Sequence, residues 1–358
     1  MSNSPSDEWA FLGRRVALVS PLPPLQDGIA RYAGQLVDVL NDRELALLGT
    51  REGSGGDRVI ALKGGLNAFR LLWHARGYDD ILVMYHPHYF HRVENTRLNR
   101  IFSYASWCAV ATLRDTTVLV HERDEARPPE IGRRGRIGFW LEEVVRRAFW
   151  RRAKCCVFHT EHERRTFADR FPPGRRRDRL VTHGSFFATS VEDDRASART
   201  RLGLPRDKVV LLCIGFFSPE NPDKGYDRAI AAVREADLPE VELHIVGSPI
   251  RTGPAVDRHV MELRRHAADS SNIHLHEGFV SDEEFDLWVR AADAVLTPYR
   301  ESSSSSVVAR THLLGTTLIT SGAGGMAEQL GPNDITFEDD TELVEAIRVV
   351  AARADYRE

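Results

Sequence analysis

The 358-residue chain carries 48 Lys plus Arg against 52 Asp plus Glu, a formal net charge of −4, with 42% hydrophobic and 28% charged residues. This is ordinary soluble globular composition, and at roughly 100–200 residues per domain the length predicts two domains. No apolar run approaches the ~18–20 residues of a membrane-spanning helix, no basic signal-peptide start is seen, and Cys108, Cys155, Cys156 and Cys213 show no CxxC spacing. Together these predict a reducing, cytoplasmic setting with neither a zinc ribbon nor a disulfide scaffold.

Apolar β-branched runs alternate with helical patterns from the start. Val16–Ser20 predicts a strand, and Gly28–Leu40 a helix with Ile29, Tyr32, Leu36 and Leu40 on one face. Further strands are predicted at Arg58–Leu62, Ile81–Tyr85, Thr117–His121, Cys155–His159 and Leu180–His183, with helices at Asn95–Leu113 and Arg136–Arg152. Ser190–Pro205 is polar and charged and reads as a linker with a short helix. The rhythm then restarts with strands at Val209–Gly215, Val241–Gly247, Ile273–His276, Ala294–Pro298, Leu318–Ser321 and Ile335–Phe337. Helices between them are predicted at Gly225–Ala236, Pro254–Ala268, Asp282–Ala292 and Ser306–Leu314. This βαβ rhythm predicts two doubly wound, Rossmann-like α/β domains: 1–188, a linker at 189–205, and 206–358. Ligands of such sheets bind at the carboxyl ends of the strands, so a cleft between the halves is the expected site.

Gly322-Ala323-Gly324-Gly325-Met326-Ala327 matches the G-x-G-x-x-A dinucleotide pattern. Only 31 residues follow Ala327 (358 − 327), too few for the rest of a dinucleotide-binding half. An NAD(P) enzyme is therefore not the reading adopted.

A more specific combination spans nearly the whole chain. Pro23 through Gly28-Ile29-Ala30 follows the first strand, Val118-Leu119-Val120-His121-Glu122 ends in a histidine, and Val181-Thr182-His183-Gly184 precedes the linker. In the second half stand Gly215 through Asp223-Lys224-Gly225, Val246-Gly247, His276-Glu277-Gly278-Phe279-Val280, Pro298-Tyr299-Arg300-Glu301 with its serines, and Gly324-Gly325-Met326-Ala327-Glu328. Together these resemble the GT-B glycosyltransferases, most closely the retaining, family 4-like group. The resemblance implies metal-independent, hexosyltransferase-like transfer from a nucleotide-sugar donor to a small-molecule, saccharide or lipid-linked acceptor, with retention and without a cofactor. It places Lys224 on the family's phosphate-binding lysine and His121 on its active-site histidine. Gly28, Phe216, Gly278, Phe279, Glu301, Ser305, Ser306, Val307 and Arg310 fall on donor-binding segments.

Two positions depart from that pattern. The arginine usual beside the glycine of "GR" is Phe216, and the glutamate that normally holds the ribose is Arg310, which cannot accept a hydroxyl hydrogen. Arg300 or Arg310 is the expected substitute for the missing cation. The alternatives are an altered donor, with Arg310 meeting an extra anionic group, or a homologue that binds without transferring.

The residues themselves ask for this chemistry. A departing nucleoside diphosphate needs stabilised negative charge, which lysine, helix N-termini and backbone amides supply without a metal. The run Ser302–Ser306 before a helix is either a flexible loop or a hydroxyl-rich phosphate cradle, with Ser305 and Ser306 nearest the helix start. His86, His88 and His91 fit neither a helical metal pair nor a finger. Between Arg127 and Leu180 stand 16 Arg plus Lys and 7 Asp plus Glu, an excess of +9. That region is either a solvated basic face or a landing surface for an anionic acceptor or acidic membrane, with Phe139, Trp140, Phe149 and Trp150 giving the helix an amphipathic outline. No zinc-finger, RRM or KH signature accompanies it, so no nucleic-acid partner is predicted.

Overall fold

A computed structural model describes residues 6–87, 96–121, 133–174, 176–217, 224–249 and 253–354. The chain divides into two compact units, Met1–Thr182 and His183–Glu358.

The first unit is built from β1 (Arg15–Ser20), α1 (Gly28–Val39), β2 (Glu44–Gly49), β3 (Arg58–Val59), α2 (Arg70–His74), β4 (Asp80–Tyr85), α3 (Arg97–Leu113), β5 (Thr116–Val120), α4 (Arg133–Arg152), β6 (Cys155–Phe158), α5 (Glu161–Arg170) and β7 (Arg177–Leu180). Among the described residues its seven strands form one sheet in the order β3-β2-β1-β4-β5-β6-β7, paired in parallel throughout. Both faces of a parallel sheet are covered, and accordingly every residue of β4, β5 and β6 is buried. The aromatic residues of α4 separate by face. Trp150 packs its ring edge-on against Tyr85 (4.8 Å) and Phe167 (4.8 Å) beside a fully buried Phe149, while Trp140 is 62% exposed.

Several residues of the basic stretch are structural. Glu142 of α4 is buried and takes Arg97 (3.1 Å) and Arg100 (2.9 Å) from α3 and Arg146 (2.8 Å) from its own helix. Burial alone would raise its pKa, but Arg100, Arg146 and Arg97 outweigh burial and hold it below the usual glutamate value.

The first unit departs from the sequence expectations at four elements. Strand β2 was missed because its apolar residues are Leu45, Ala46, Leu47 and Leu48, without the β-branching that marks strands. The last strand is Arg177–Leu180 and not Leu180–His183, an edge strand whose Arg177 and Arg179 are exposed and so read as loop. The ladder predicted over Arg58–Leu62 stops at Val59. Helix α5, six of whose ten residues are charged, was missed as well. Its N-terminal signal is a complete capping box, Thr160 accepting from Glu163 N while Glu163 accepts from Thr160 N.

The second unit comprises α6 (Arg195–Leu202), β8 (Val209–Ile214), α7 (Tyr226–Ala236), β9 (Val241–Gly247), α8 (Pro254–Ala268), β10 (Ile273–Glu277), α9 (Asp282–Ala291), β11 (Ala294–Thr297), α10 (Ser306–Leu313), β12 (Thr317–Thr320), β13 (Ile335–Thr336) and α11 (Asp340–Ala354). Among the described residues its six strands are parallel in the order β10-β9-β8-β11-β12-β13. Of the segment read as a linker, α6 is part of this unit: Ala198 and Leu204 enter its core, and Arg199 bonds Asp293 and the Ala291 carbonyl. The Gly-rich turn after β12 opens a 3-10 turn, Gly324–Gln329, and not an α-helix. Helix α11, which was not predicted, buries Leu343, Ile347 and Val350 at helical spacing.

Candidate functional site

In the second sheet the strand order reverses between β8 and β11, and a ligand crevice is expected at the carboxyl ends of those two strands. The chain places Gly215 and Phe216 there after β8, Lys224 and Gly225 before α7, and Pro298 to Ser306 after β11. Lys224 Nζ donates to the Tyr299 hydroxyl at 2.9 Å and lies 4.3 Å from the centre of that ring. Two glycines permit this. A Cβ at Gly215 (φ +142°) would sit 3.2 Å from Lys224 Cε, so the lysine stem runs over bare backbone. Gly225 has φ +63°, and a Cβ there would sit 2.0 Å from the Pro298 carbonyl oxygen. Backbone approach between the two strand ends thus fixes Lys224. Replacing Gly225 by alanine is expected to cost ~3 kcal/mol or more, because a left-handed backbone and a backbone clash add. Urea unfolding checks this, together with loss of ligand affinity at the same site.

The surrounding residues close the loop. Tyr226, whose hydroxyl pKa burial pushes well up, donates to the Phe216 carbonyl at 3.3 Å. Ser305 N donates to Gln329 Oε1 at 2.7 Å, and Gln329 Nε2 donates back to the Ser305 carbonyl at 3.2 Å. Gly325 N reaches the Ser302 carbonyl at 3.1 Å, and Ser321 Oγ donates to the Tyr299 carbonyl at 2.6 Å. The serine run is therefore a fastened loop at these positions. Ser306 stands exposed at the first turn of α10, Val307 is buried beneath it, and Glu301 is exposed. Gly278 N bonds the Gly247 carbonyl at 2.8 Å, joining the ends of β9 and β10 just before Phe279.

The two arginines expected to replace the missing cation are engaged elsewhere. Arg300 makes a two-pronged pair with Asp227 (2.6 and 3.0 Å). Arg310 is 2% exposed, bonds Asp286, approaches Asp282 at 3.3 Å, and lies over the rings of Phe187 and Phe285. Its guanidinium is a core ion pair, so the expectation that it meets an anionic part of a donor is corrected: the opposing charge is supplied by α9.

In the first unit the order reverses between β1 and β4. Gly28 is exposed at the start of α1, where the Asp27 carboxylate accepts from Ile29 N (2.8 Å) and Ala30 N (3.4 Å). That helix terminus already holds an anion. His121 follows β5 and is half-buried, its N–H bonding the Tyr85 carbonyl at 3.2 Å. Its ring meets Tyr32 edge-on (5.0 Å) and lies 6.0 Å from His159. Burial first, then His159 and His86, push the His121 pKa well below the usual histidine value. His159 is lowered by burial too, against Glu163 and the Val181 carbonyl. Both shifts favour the neutral ring. A histidine pKa depressed by folding contributes stability that is full above pH ~6.5 and lost as pH falls. Urea midpoints measured from pH 7.5 down to 5 are expected to fall, and less steeply in His159→Gln. His88, His91, Glu122 and Asp124 lie outside the described residues.

Tyr299, Gln329, Tyr32 and His159 were not singled out as site residues from sequence. Tyr299 had a usable signal, an aromatic hydroxyl one residue past Pro298 on the loop that ends β11.

Residues 208–353, within the second unit, match the family Glycosyl transferases group 1. A D-inositol 3-phosphate glycosyltransferase from Geodermatophilus obscurus is 28% identical over 258 residues, 69% of this chain and 53% of the relative. Its namesake from Thermobispora bispora is 31% identical over 136 residues, 37% of this chain and 31% of the relative. The chain thus spans about half or less of the length of these two relatives. The fold is shared with sucrose-phosphate synthase from Thermosynechococcus elongatus (TM-score 0.69, 17% identity, 96% of this chain and 91% of that one). It is shared equally with Anabaena HepE in complex with UDP and glucose (TM-score 0.67, 15% identity, 96% and 95%). The architecture is GT-B, two doubly wound parallel sheets.

Proposed function

We propose that the protein is a glycosyltransferase that takes a nucleotide-sugar donor in its second unit, with Lys224 facing the diphosphate. The observation that carries this reading is the Lys224–Tyr299 pair, held over Gly215 at the switch point of the sheet, inside a glycosyl transferases group 1 domain. A fixed ammonium at the strand ends is suited to the charge that builds on a departing diphosphate, and Tyr299 restricts it to one position. His121, neutral and at the end of β5, is suited to hydrogen-bonding a sugar hydroxyl and not to paying out charge. Solved structures of HepE, which shares the fold, hold UDP with glucose and UDP-glucose, which favours a uridine donor. The relatives named for D-inositol 3-phosphate favour a phosphorylated polyol or sugar as acceptor.

The test is release of UDP from UDP-glucose, UDP-galactose or UDP-N-acetylglucosamine in chelator, with inositol phosphate, glucose phosphate and lipid-linked sugars offered in turn. Acceptor-dependent UDP release, absent in Lys224→Ala and reduced in His121→Ala, is expected, and NMR of the product gives the anomeric outcome. Phe216, where the family carries arginine, favours a second reading, a donor-binding subunit without transfer. Nucleotide binding without turnover on any acceptor would establish that reading.

The acceptor side is further proposed to touch anionic membrane. Ile137, Trp140, Leu141 and Val144 on α4, within the basic stretch Arg127–Leu180, are exposed, as are Leu98 and Phe102 on α3, which packs against α4. Amphipathic helices of this kind bind through apolar area plus attraction to acidic lipid. Sedimentation with vesicles containing 30% phosphatidylglycerol is expected, at low salt, to exceed that with neutral vesicles and to fall in Trp140→Ser/Val144→Ser.

A further inference from the structure

Strands β9 and β10 bring a second set of chemistry-bearing side chains together, and nothing in the proposed transfer uses them. Glu242 and His244 alternate on β9, and His274 and His276 on β10, with His244 and His274 in direct register. Because side chains two apart share a face, all four lie on one side of the sheet. Glu242 Oε2 is 3.3 Å from His244 Nε2 and 3.6 Å from His274 Nε2, and the three ligand atoms lie within 4.8 Å of one another. Zinc bonds of about 2.0–2.1 Å in tetrahedral geometry put neighbouring ligand atoms roughly 3.3–3.5 Å apart, so two of these separations are near tetrahedral edges.

Two further observations point to a cation. His274 Nε2 is shielded from solvent and makes no hydrogen bond among the described residues, so its nitrogen faces the carboxylate without a shared proton in hydrogen-bonding geometry. His244, itself buried, has its other nitrogen, Nδ1, 3.0 Å from His276 Nε2. A metal-ligating histidine characteristically gives its second ring N–H to a carboxylate, carbonyl or water; with the His276 nitrogen in that role, the His244 Nε2 that meets Glu242 Oε2 at 3.3 Å keeps its lone pair for the ion. The imidazoles stack, His244 on His274 at 4.7 Å and on His276 at 5.2 Å, with Trp288 of α9 closing the cluster 4.7 Å from His276.

We propose that Glu242, His244 and His274 bind one divalent transition-metal ion of the zinc type, with His276 orienting His244 behind it. Two imidazoles and a carboxylate leave a fourth position for water. The ion clips edge strand β10 to β9. Its place in the fold is structural, on the strand that leads into Gly278 and Phe279, and the proposal is independent of whether the protein transfers sugar.

The experiment uses the full, untagged chain, stripped with chelator and dialysed. Titration with Zn²⁺ at pH 7.5 is followed by calorimetry, and Co²⁺ is added in parallel to read tetrahedral ligand-field bands. One ion per chain is expected, with a rise in unfolding temperature of roughly 5 °C or more at a hundredfold excess over Kd. Glu242→Gln and His274→Ala, at partly exposed positions, should lose that ion and the Co²⁺ bands. His276→Ala should weaken binding by about 10–100-fold, as loss of an orienting partner does. Absence of stoichiometric binding at 10 μM free Zn²⁺, shown on a chain folded by circular dichroism, would overturn the proposal and leave a hydrogen-bonded histidine row. Binding unchanged in Glu242→Gln and His274→Ala would equally overturn it and place the ion elsewhere.

Discussion

Lys224→Ala is expected to lower kcat/KM for a nucleotide-sugar by about 10²–10³-fold, corresponding to ~3–4 kcal/mol of lost stabilisation of the departing diphosphate. Folding should change little, because the lysine is only half-buried and Tyr299 supplies its side-chain hydrogen bond among those described here. Tyr299→Phe separates positioning from charge. It keeps the ammonium and the ring beneath it but removes the 2.9 Å hydrogen bond, so a smaller loss of about tenfold is expected. Equal losses in the two variants would show that the hydroxyl acts on the ligand itself. Steady-state kinetics with unfolding curves for each variant read both quantities.

Arg310→Glu is expected to unfold or nearly unfold the second unit. The resemblance to the GT-B glycosyltransferases implies that a glutamate there would restore a ribose-holding residue. In the folded chain it would place a carboxylate against Asp286 and Asp282, beneath the rings of Phe187 and Phe285. Removing one partner of a buried pair costs ~3–5 kcal/mol, a large part of a domain's 5–15 kcal/mol stability, and reversing the charge costs more. Arg310→Met paired with Asp286→Asn removes both buried charges and should recover much of the loss. Urea unfolding of the unmodified chain, Arg310→Met, Asp286→Asn and the double variant gives the coupling as a double-mutant cycle. A soluble Arg310→Glu protein with improved nucleotide affinity would contradict the placement of Arg310 in the core.

The position of Arg310 shows what a sequence pattern leaves out. The strand–helix rhythm of both halves was legible because it is local: β9 and α8 lie where their apolar periodicity puts them, and Lys224 was visible from its neighbouring glycine. The charge on Arg310 was visible too, but its partner was not. Asp286 is 24 residues away and is brought to it by packing of α9 against α10. Strand β2 and helix α5 were obscured for different reasons, the first by leucines and alanine without β-branching, the second by having only Phe167 and Ala168 as apolar residues among six charged ones. The alternation of Glu242 with His244 and of His274 with His276 was present to be read. Only the parallel register of β9 and β10 makes one cluster of the two pairs.

The central claim is that the second unit binds a nucleoside diphosphate through Lys224. Calorimetric titration of the chain with UDP, GDP, dTDP and ADP in chelator tests it most directly. Micromolar binding of one of these, UDP foremost, with the heat abolished in Lys224→Ala and retained in His121→Ala, is the predicted result. Binding that survives Lys224→Ala unchanged, or no heat with any nucleotide in a folded protein, would contradict it.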